Sequence, residues 1–97
     1  MARVALHSPD LLFGSKVEGA LRAAGHEVVR SGDAEVAVVD LTEGEVPEPP
    51  EQPSVAYYLH TDQDTRQRAE AAGYDLVVPR SRMNREAVQL VERLLAG

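Results

Sequence analysis

No cysteine occurs in the 97 residues, which excludes disulfides, thiolate nucleophiles and sulfur-ligated metal sites. That absence suits a reducing, cytoplasmic setting. No apolar run approaches the ~18 residues that a membrane span needs, so no transmembrane helix is expected. Basic charge is scarce: ten Lys and Arg stand against sixteen Asp and Glu, a formal charge of −6. This balance argues against bulk nucleic-acid binding, which draws on a basic face. Lysine is scarcer still. Lys16 stands alone among nine arginines, so any chemistry that needs a lysine falls on it. The first residues, Met1-Ala2-Arg3-Val4, alternate as a strand does and lack the charged tip and apolar core of a secretory leader. The length fits one domain, residues 1–97, able to bury a core of its own.

What is present reads as alternating strands and helices. Arg3 to His7 places Val4 and Leu6 at a strand's period of two. Ser8 is a candidate helix cap, with Pro9 at the first helical position and Asp10 near the positive end of the helix dipole. Phe13, Val17, Ala20, Leu21 and Ala24 then form one apolar stripe, and Gly25 stops it. His26, between Gly25 and the next strand, reads as a turn residue, and Val28-Val29 as a short strand. Val36-Ala37-Val38-Val39 is a continuous apolar run of the kind that suits a strand buried on both faces, ended by Asp40. Residues 42–53 mix Glu43, Glu45, Glu48 and Glu51 with Pro47, Pro49, Pro50 and Pro53, a density of proline that forbids a helix and favours an extended loop. Ser54 to Leu59 reads as a strand. Thr61 is spaced as an N-cap with an acid, Asp64, three residues on, and opens a polar helix closed by Gly73. Asp75 to Val78 is the last strand, and Met83, Ala87, Leu90, Val91 and Leu94 stripe the last helix.

The order β-α-β-β-loop-β-α-β-α points to an α/β fold of flavodoxin-like type. The expectation is a mostly parallel sheet of about five strands with three helices. Residues 30–34 are short for a parallel crossover, which normally takes a dozen residues or so. Either they run extended across the sheet end, the reading preferred here, or Ser31-Gly32-Asp33 turns a hairpin and the two strands pair antiparallel.

Four segments carry a resemblance: Leu11-Leu12-Phe13, Val38-Val39-Asp40-Leu41, Ala71-Ala72-Gly73-Tyr74-Asp75 and Val78-Pro79-Arg80-Ser81. Together they make Val4 to Leu95 similar to the receiver domain of response regulators, closest to the degenerate, pseudo-receiver branch. The resemblance implies a phospho-acceptor, or its remnant, at Asp40. The departures are specific. Receivers end the first strand with paired acids that hold Mg²⁺, whereas this chain has His7-Ser8-Pro9-Asp10, leaving only Asp10 to serve. Receivers carry a lysine after the fifth strand, where Arg80 is the nearest replacement. Thr61 is available for the hydroxyl that ends the fourth strand. The second and third crossover helices are missing.

Open α/β sheets place ligands at the C-terminal ends of their strands. There the chain supplies His7, Ser8, Asp40, His60, Thr61, Arg80 and Ser81, with Asp10 just beyond. Asp40 has three readings: a phospho-acceptor, an ion-pair partner of Arg80, or an acid capping local backbone. His7 and His60 with Asp40 are a possible Zn²⁺ set of low specificity. Ser8, a histidine and Asp40 are the residue types of a hydrolytic triad, without the strained Gly-x-Ser-x-Gly turn. Gly14-Ser15-Lys16 resembles a fragment of a phosphate loop but falls within a helix pattern and reads as helix surface.

The expected function is a non-catalytic, receiver-like signalling or interaction module, not phosphorylated, with no cofactor and no metal. It would work through a protein partner, without nucleic acid or membrane. The alternatives are a working receiver that uses Asp40 and Mg²⁺, or a small ligand- or metal-binding protein built on the strand-end cluster. With two helices missing, one sheet face is expected to stand thinly covered and to be buried by self-association, most simply a homodimer.

Overall fold

The computed structural model describes residues 2–8, 11–30 and 33–97, with Leu11 and Leu12 as backbone only. Its elements are β1 (Arg3–His7), α1 (Leu11–Ala23), β2 (Glu27–Val29), β3 (Val36–Asp40), β4 (Ser54–Tyr58), α2 (Gln63–Ala72), β5 (Leu76–Pro79) and α3 (Arg80–Ala96). The five strands form one parallel sheet in the order β2-β1-β3-β4-β5. This is the expected flavodoxin-like α/β fold, with three helices among the described residues.

The short link after β2 needs no helix because β2 is only three residues long. Val29 lies level with Ala5, and Val36 with Val4. The chain therefore returns by a single residue's rise while it crosses β1. Glu35 N–H bonds the Arg3 carbonyl at 2.8 Å as it arrives. The hairpin alternative is excluded by the order itself, since β1 lies between β2 and β3; Ser31 and Gly32 fall outside the described residues.

The period-two alternation of the strands divides the core. Val4, Leu6, Val36, Val38, Val55, Tyr57 and Val78 point to the side of α1 and α3, where they meet Phe13, Val17, Leu21, Met83, Ala87, Leu90 and Val91. The opposite side carries smaller residues over the middle of the sheet, with Val39 and Tyr58 at the strand ends. Ala5, Ala37, Ser54 and Ala56 are buried there, and Val39, Leu41, Ala56, Ala69 and Tyr74 pack together with Val46 and Val77.

That second side does not stand open. Residues 42–53 have no helix or strand and lie over it as a strap, with α2 beside them. The Tyr74 hydroxyl donates to the Pro47 carbonyl at 2.9 Å, and Arg68 Nη2 donates to the Gly44 carbonyl at 2.7 Å. Gly44, at φ +88°, supplies the turn that starts the strap, a conformation costly for residues with a Cβ. Burial pushes the Tyr74 phenol above its ordinary value, so it remains a donor at neutral pH. Leu59 is the only large hydrophobic side chain exposed among the described residues. Among the described residues the sheet face expected to stand thinly covered is thus overlaid by the strap. Ala5, Ala37 and Ala56 offer little apolar area to cover, and a proline-rich strap can approach such a flat surface.

Two local expectations also change. The N-cap of α2 is Asp62, not Thr61. The Asp62 carboxylate accepts from the Thr65 backbone N–H at 3.1 Å and from the Thr65 hydroxyl at 2.6 Å. His26 does lie in the connection from α1 to β2, but it is buried there: it is 7% exposed, its Nδ1 accepts from the Ala2 backbone N–H at 3.3 Å, and its Nε2 lies 3.5 Å from Glu92. No helix among the described residues is long and apolar enough to cross a membrane.

Candidate functional site

Asp40 ends the central strand β3, level with Tyr57 of β4, and is 9% exposed. Both of its carboxylate oxygens are engaged. Oδ2 accepts from the Ser8 hydroxyl at 2.6 Å. Oδ1 accepts from the Thr42 backbone N–H at 2.8 Å and from the Thr42 hydroxyl at 2.6 Å. The Tyr57 hydroxyl donates in turn to Ser8 Oγ at 3.3 Å. A chain of donors thus runs from Tyr57 through Ser8 to a carboxylate that would otherwise lie poorly hydrated at the sheet end. Hydrogen bonds to a charged acceptor are the stronger kind, and here they satisfy an acid that burial would penalise.

Asp40 therefore serves as a local cap and as the anchor of β1 to β3. The bond to Thr42 is the Asx-turn pattern, in which an Asp side chain takes the N–H two residues on. Thr42 was legible in that spacing and was missed. Tyr57 was legible only as a core residue; its hydroxyl joins the site because β4 sits beside β3.

The expected ion pair with Arg80 does not form: among the described residues no bridge joins it to Asp40. The Arg80 guanidinium instead lies over the Phe13 ring, 4.4 Å from its centroid, a favourable cation–π distance. Phe13 in turn packs against Tyr57, with centroids 5.0 Å apart. Aromatic packing thus holds Arg80 at the start of α3.

The strand-end set divides between two hollows. His7, Ser8 and Asp40 line the first with Glu43, Glu45 and Pro47, enclosing about 330 Å³. His60, Arg80 and Ser81 line the second with Phe13, Lys16, Leu59 and Asn84, about 320 Å³. Thr61 is exposed and lines neither, and Asp10 lies outside the described residues. The two histidines proposed as partners of one metal thus sit in different hollows. Among the described residues no three His, Asp or Glu side chains are grouped to hold a metal ion. The receiver's Mg²⁺ fits this set poorly: a hydroxyl, Ser8, reaches Asp40, and both Asp40 oxygens already accept hydrogen bonds. A hydrolytic triad finds no support either, since Ser8 directs its proton to Asp40, not to a histidine.

No protein-family model matches the chain, and no curated relative does. Solved structures do. A response regulator receiver protein from Burkholderia phymatum superposes with a TM-score of 0.79 at 15% identity, covering 99% of this chain and 96% of that one. A response regulator from Thermotoga maritima gives 0.75 at 16% identity, with 98% of each chain covered. NtrX from Brucella abortus gives 0.79 at 18% identity over 98% of this chain. The chain spans only 27% of NtrX, one receiver-sized part of a longer protein. The fold is therefore that of response regulator receiver domains.

Proposed function

We propose that this chain is a receiver-like signalling module of the degenerate kind, which acts in the cytoplasm through protein contacts and neither accepts a phosphoryl group at Asp40 nor turns over a substrate. The observation that carries this reading is the hydrogen-bonding state of Asp40. Hydrogen bonds to a carboxylate draw electron density from its oxygens and weaken it as a nucleophile, and attack on phosphorus needs a cation to draw off the developing charge. Here Ser8 and Thr42 occupy both oxygens, and Arg80 is stacked on Phe13. The receiver neighbours support the signalling role. The strap 42–53, with its row of exposed glutamates, offers an acidic surface for a basic partner protein.

The test is incubation with acetyl phosphate and Mg²⁺ followed by intact-protein mass measurement. The expected spectrum is unchanged. A gain of one phosphoryl mass that disappears in Asp40→Asn overturns the reading in favour of a working receiver. One observation favours that second reading: Asp40 borders an open hollow at the C-terminal end of the central strand. Whether the partner is a second copy of the chain is decided by light scattering at micromolar concentration, which reads one chain's mass or two.

A further inference from the structure

We propose that a third hollow, between the strap and the end of the sheet, receives an aromatic side chain from a basic segment of a partner protein. This rests on the reading of the chain as a module that works through protein contacts, and it names what the strap recognises. The sequence of the strap sets its shape. Proline fixes φ at 47, 49 and 50, and each proline keeps the residue before it out of the helical region. Val46-Pro47-Glu48-Pro49-Pro50 is therefore biased to the polyproline II conformation, in which residues three apart share an edge.

The environment of the strap follows that period. Val46 and Pro49 are half-buried on the inward edge. Val46 packs on the cluster that includes Val39 and Tyr74, and the Pro49 ring lies against Gly73, where an added Cβ would stand 3.9 Å from Pro49 Cγ. Glu45 and Glu48 are exposed on the second edge. Pro47 and Pro50, on the third, wall a hollow of about 320 Å³ with His7, Val39, Glu48 and Tyr74. The bond from the Tyr74 hydroxyl to the Pro47 carbonyl ties the strap to the wall it faces, so the hollow is held by groups already ordered and binding has little chain to freeze.

Charge selects the occupant. The hollow at Asp40 adjoins this one, since His7, Val39 and Pro47 line both, and it brings Glu43 and Glu45 to the rim. A slot walled by proline rings, a phenol ring and a valine thus opens beside carboxylates. About 150 Å³ is enough to hold a benzene ring, so a single aromatic side chain fits. Arginine or lysine next to it in sequence would meet the glutamates, whereas an acidic segment would be repelled.

The chain contains no tryptophan, so the emission of a tryptophan peptide reports its own surroundings free of any protein indole. The probe is acetylated and amidated Gly-Arg-Trp-Arg-Gly, titrated with the full chain at low ionic strength. A saturable blue shift is expected. Pro47→Ala keeps the carbonyl that Tyr74 bonds and removes the ring, and Glu48→Lys reverses a rim charge; each should weaken binding about threefold or more. Both residues are exposed, and circular dichroism checks that the variants stay folded. Gly-Arg-Ala-Arg-Gly should compete about tenfold less well than the tryptophan peptide, because it leaves the slot unfilled. No saturable shift at millimolar chain, or affinity unaltered by either variant, overturns the proposal. Equal competition by the alanine peptide also overturns it, while leaving the acidic strap as a docking surface; the signalling reading itself falls only if Asp40 is phosphorylated.

Discussion

The two faces of the sheet solve the same problem with different materials. The α1/α3 face buries large side chains, Leu6, Leu21, Tyr57 and Met83 among them, against two long helices. The strap face buries Ala37, Ser54 and Ala56, with Val39 and Tyr58, beneath a proline-rich loop and a short polar helix that sinks only Thr65 and Ala69. Large side chains need interdigitating partners, which a helix stripe supplies. A strand surface of small residues needs only something flat and close. The difference explains how a receiver-like sheet dispenses with two helices without exposing an apolar patch.

Three measurements bear on this contrast. The largest effect belongs to the helical face. Leu21→Ala should cost about 3–4 kcal/mol in chemical denaturation, the range for a fully buried leucine in a rigid core. A loss below about 1 kcal/mol would mean that this face is no better packed than the other. On the strap face the determinant is a single polar tie. Tyr74→Phe keeps the ring and removes the bond to Pro47; a loss of about 1 kcal/mol is expected. Amide exchange across 42–53 should rise at the same time, while β3 remains protected. Unchanged exchange would show that the ring alone, not the hydroxyl, holds the strap.

The smallest effect is at the start of α2. The Thr65 hydroxyl and then its backbone N–H hold the Asp62 carboxyl below its ordinary 3.8. A carboxyl depressed in the folded state stabilises it fully above the unfolded value, and that contribution is lost as pH falls through the folded one. Asp62→Asn caps without ionising. Its melting temperature should therefore fall less than that of the parent between about pH 5 and about pH 2. Parallel profiles would remove the charge of Asp62 from the account of how α2 is anchored.

Much of the local structure was legible because it depends on neighbours in sequence. The Phe13-Val17-Leu21 stripe, the Val36–Val39 run and the proline-dense 42–53 each declare a period or a prohibition that tertiary contacts did not override. The short β2 was also legible, as the preferred of two readings, since chain length limits what a crossover can do. The candidate site was legible only in its members. Asp40 and Ser8 were both placed at strand ends, but their bond depends on β1 lying beside β3. Arg80 was paired with Asp40 on charge alone, whereas the ring of Phe13, remote from it in sequence, was the surface within reach. The Asp62 cap was displaced by one residue because Thr61 and Asp62 are both good caps and only backbone geometry chooses between them.

The sequence by itself determined the order of elements, their parallel sense, the absence of thiol chemistry and the place of Asp40 at a strand end, because periodicity, proline and composition act locally. Only the tertiary structure decided that Asp40 is held by Ser8 and Thr42, that the strand-end residues part into an acidic hollow and a basic one, and that the loop closes the second face. Each of those outcomes depends on which strands are neighbours and how closely two surfaces approach, and such distances are set by the packed whole and by no single segment.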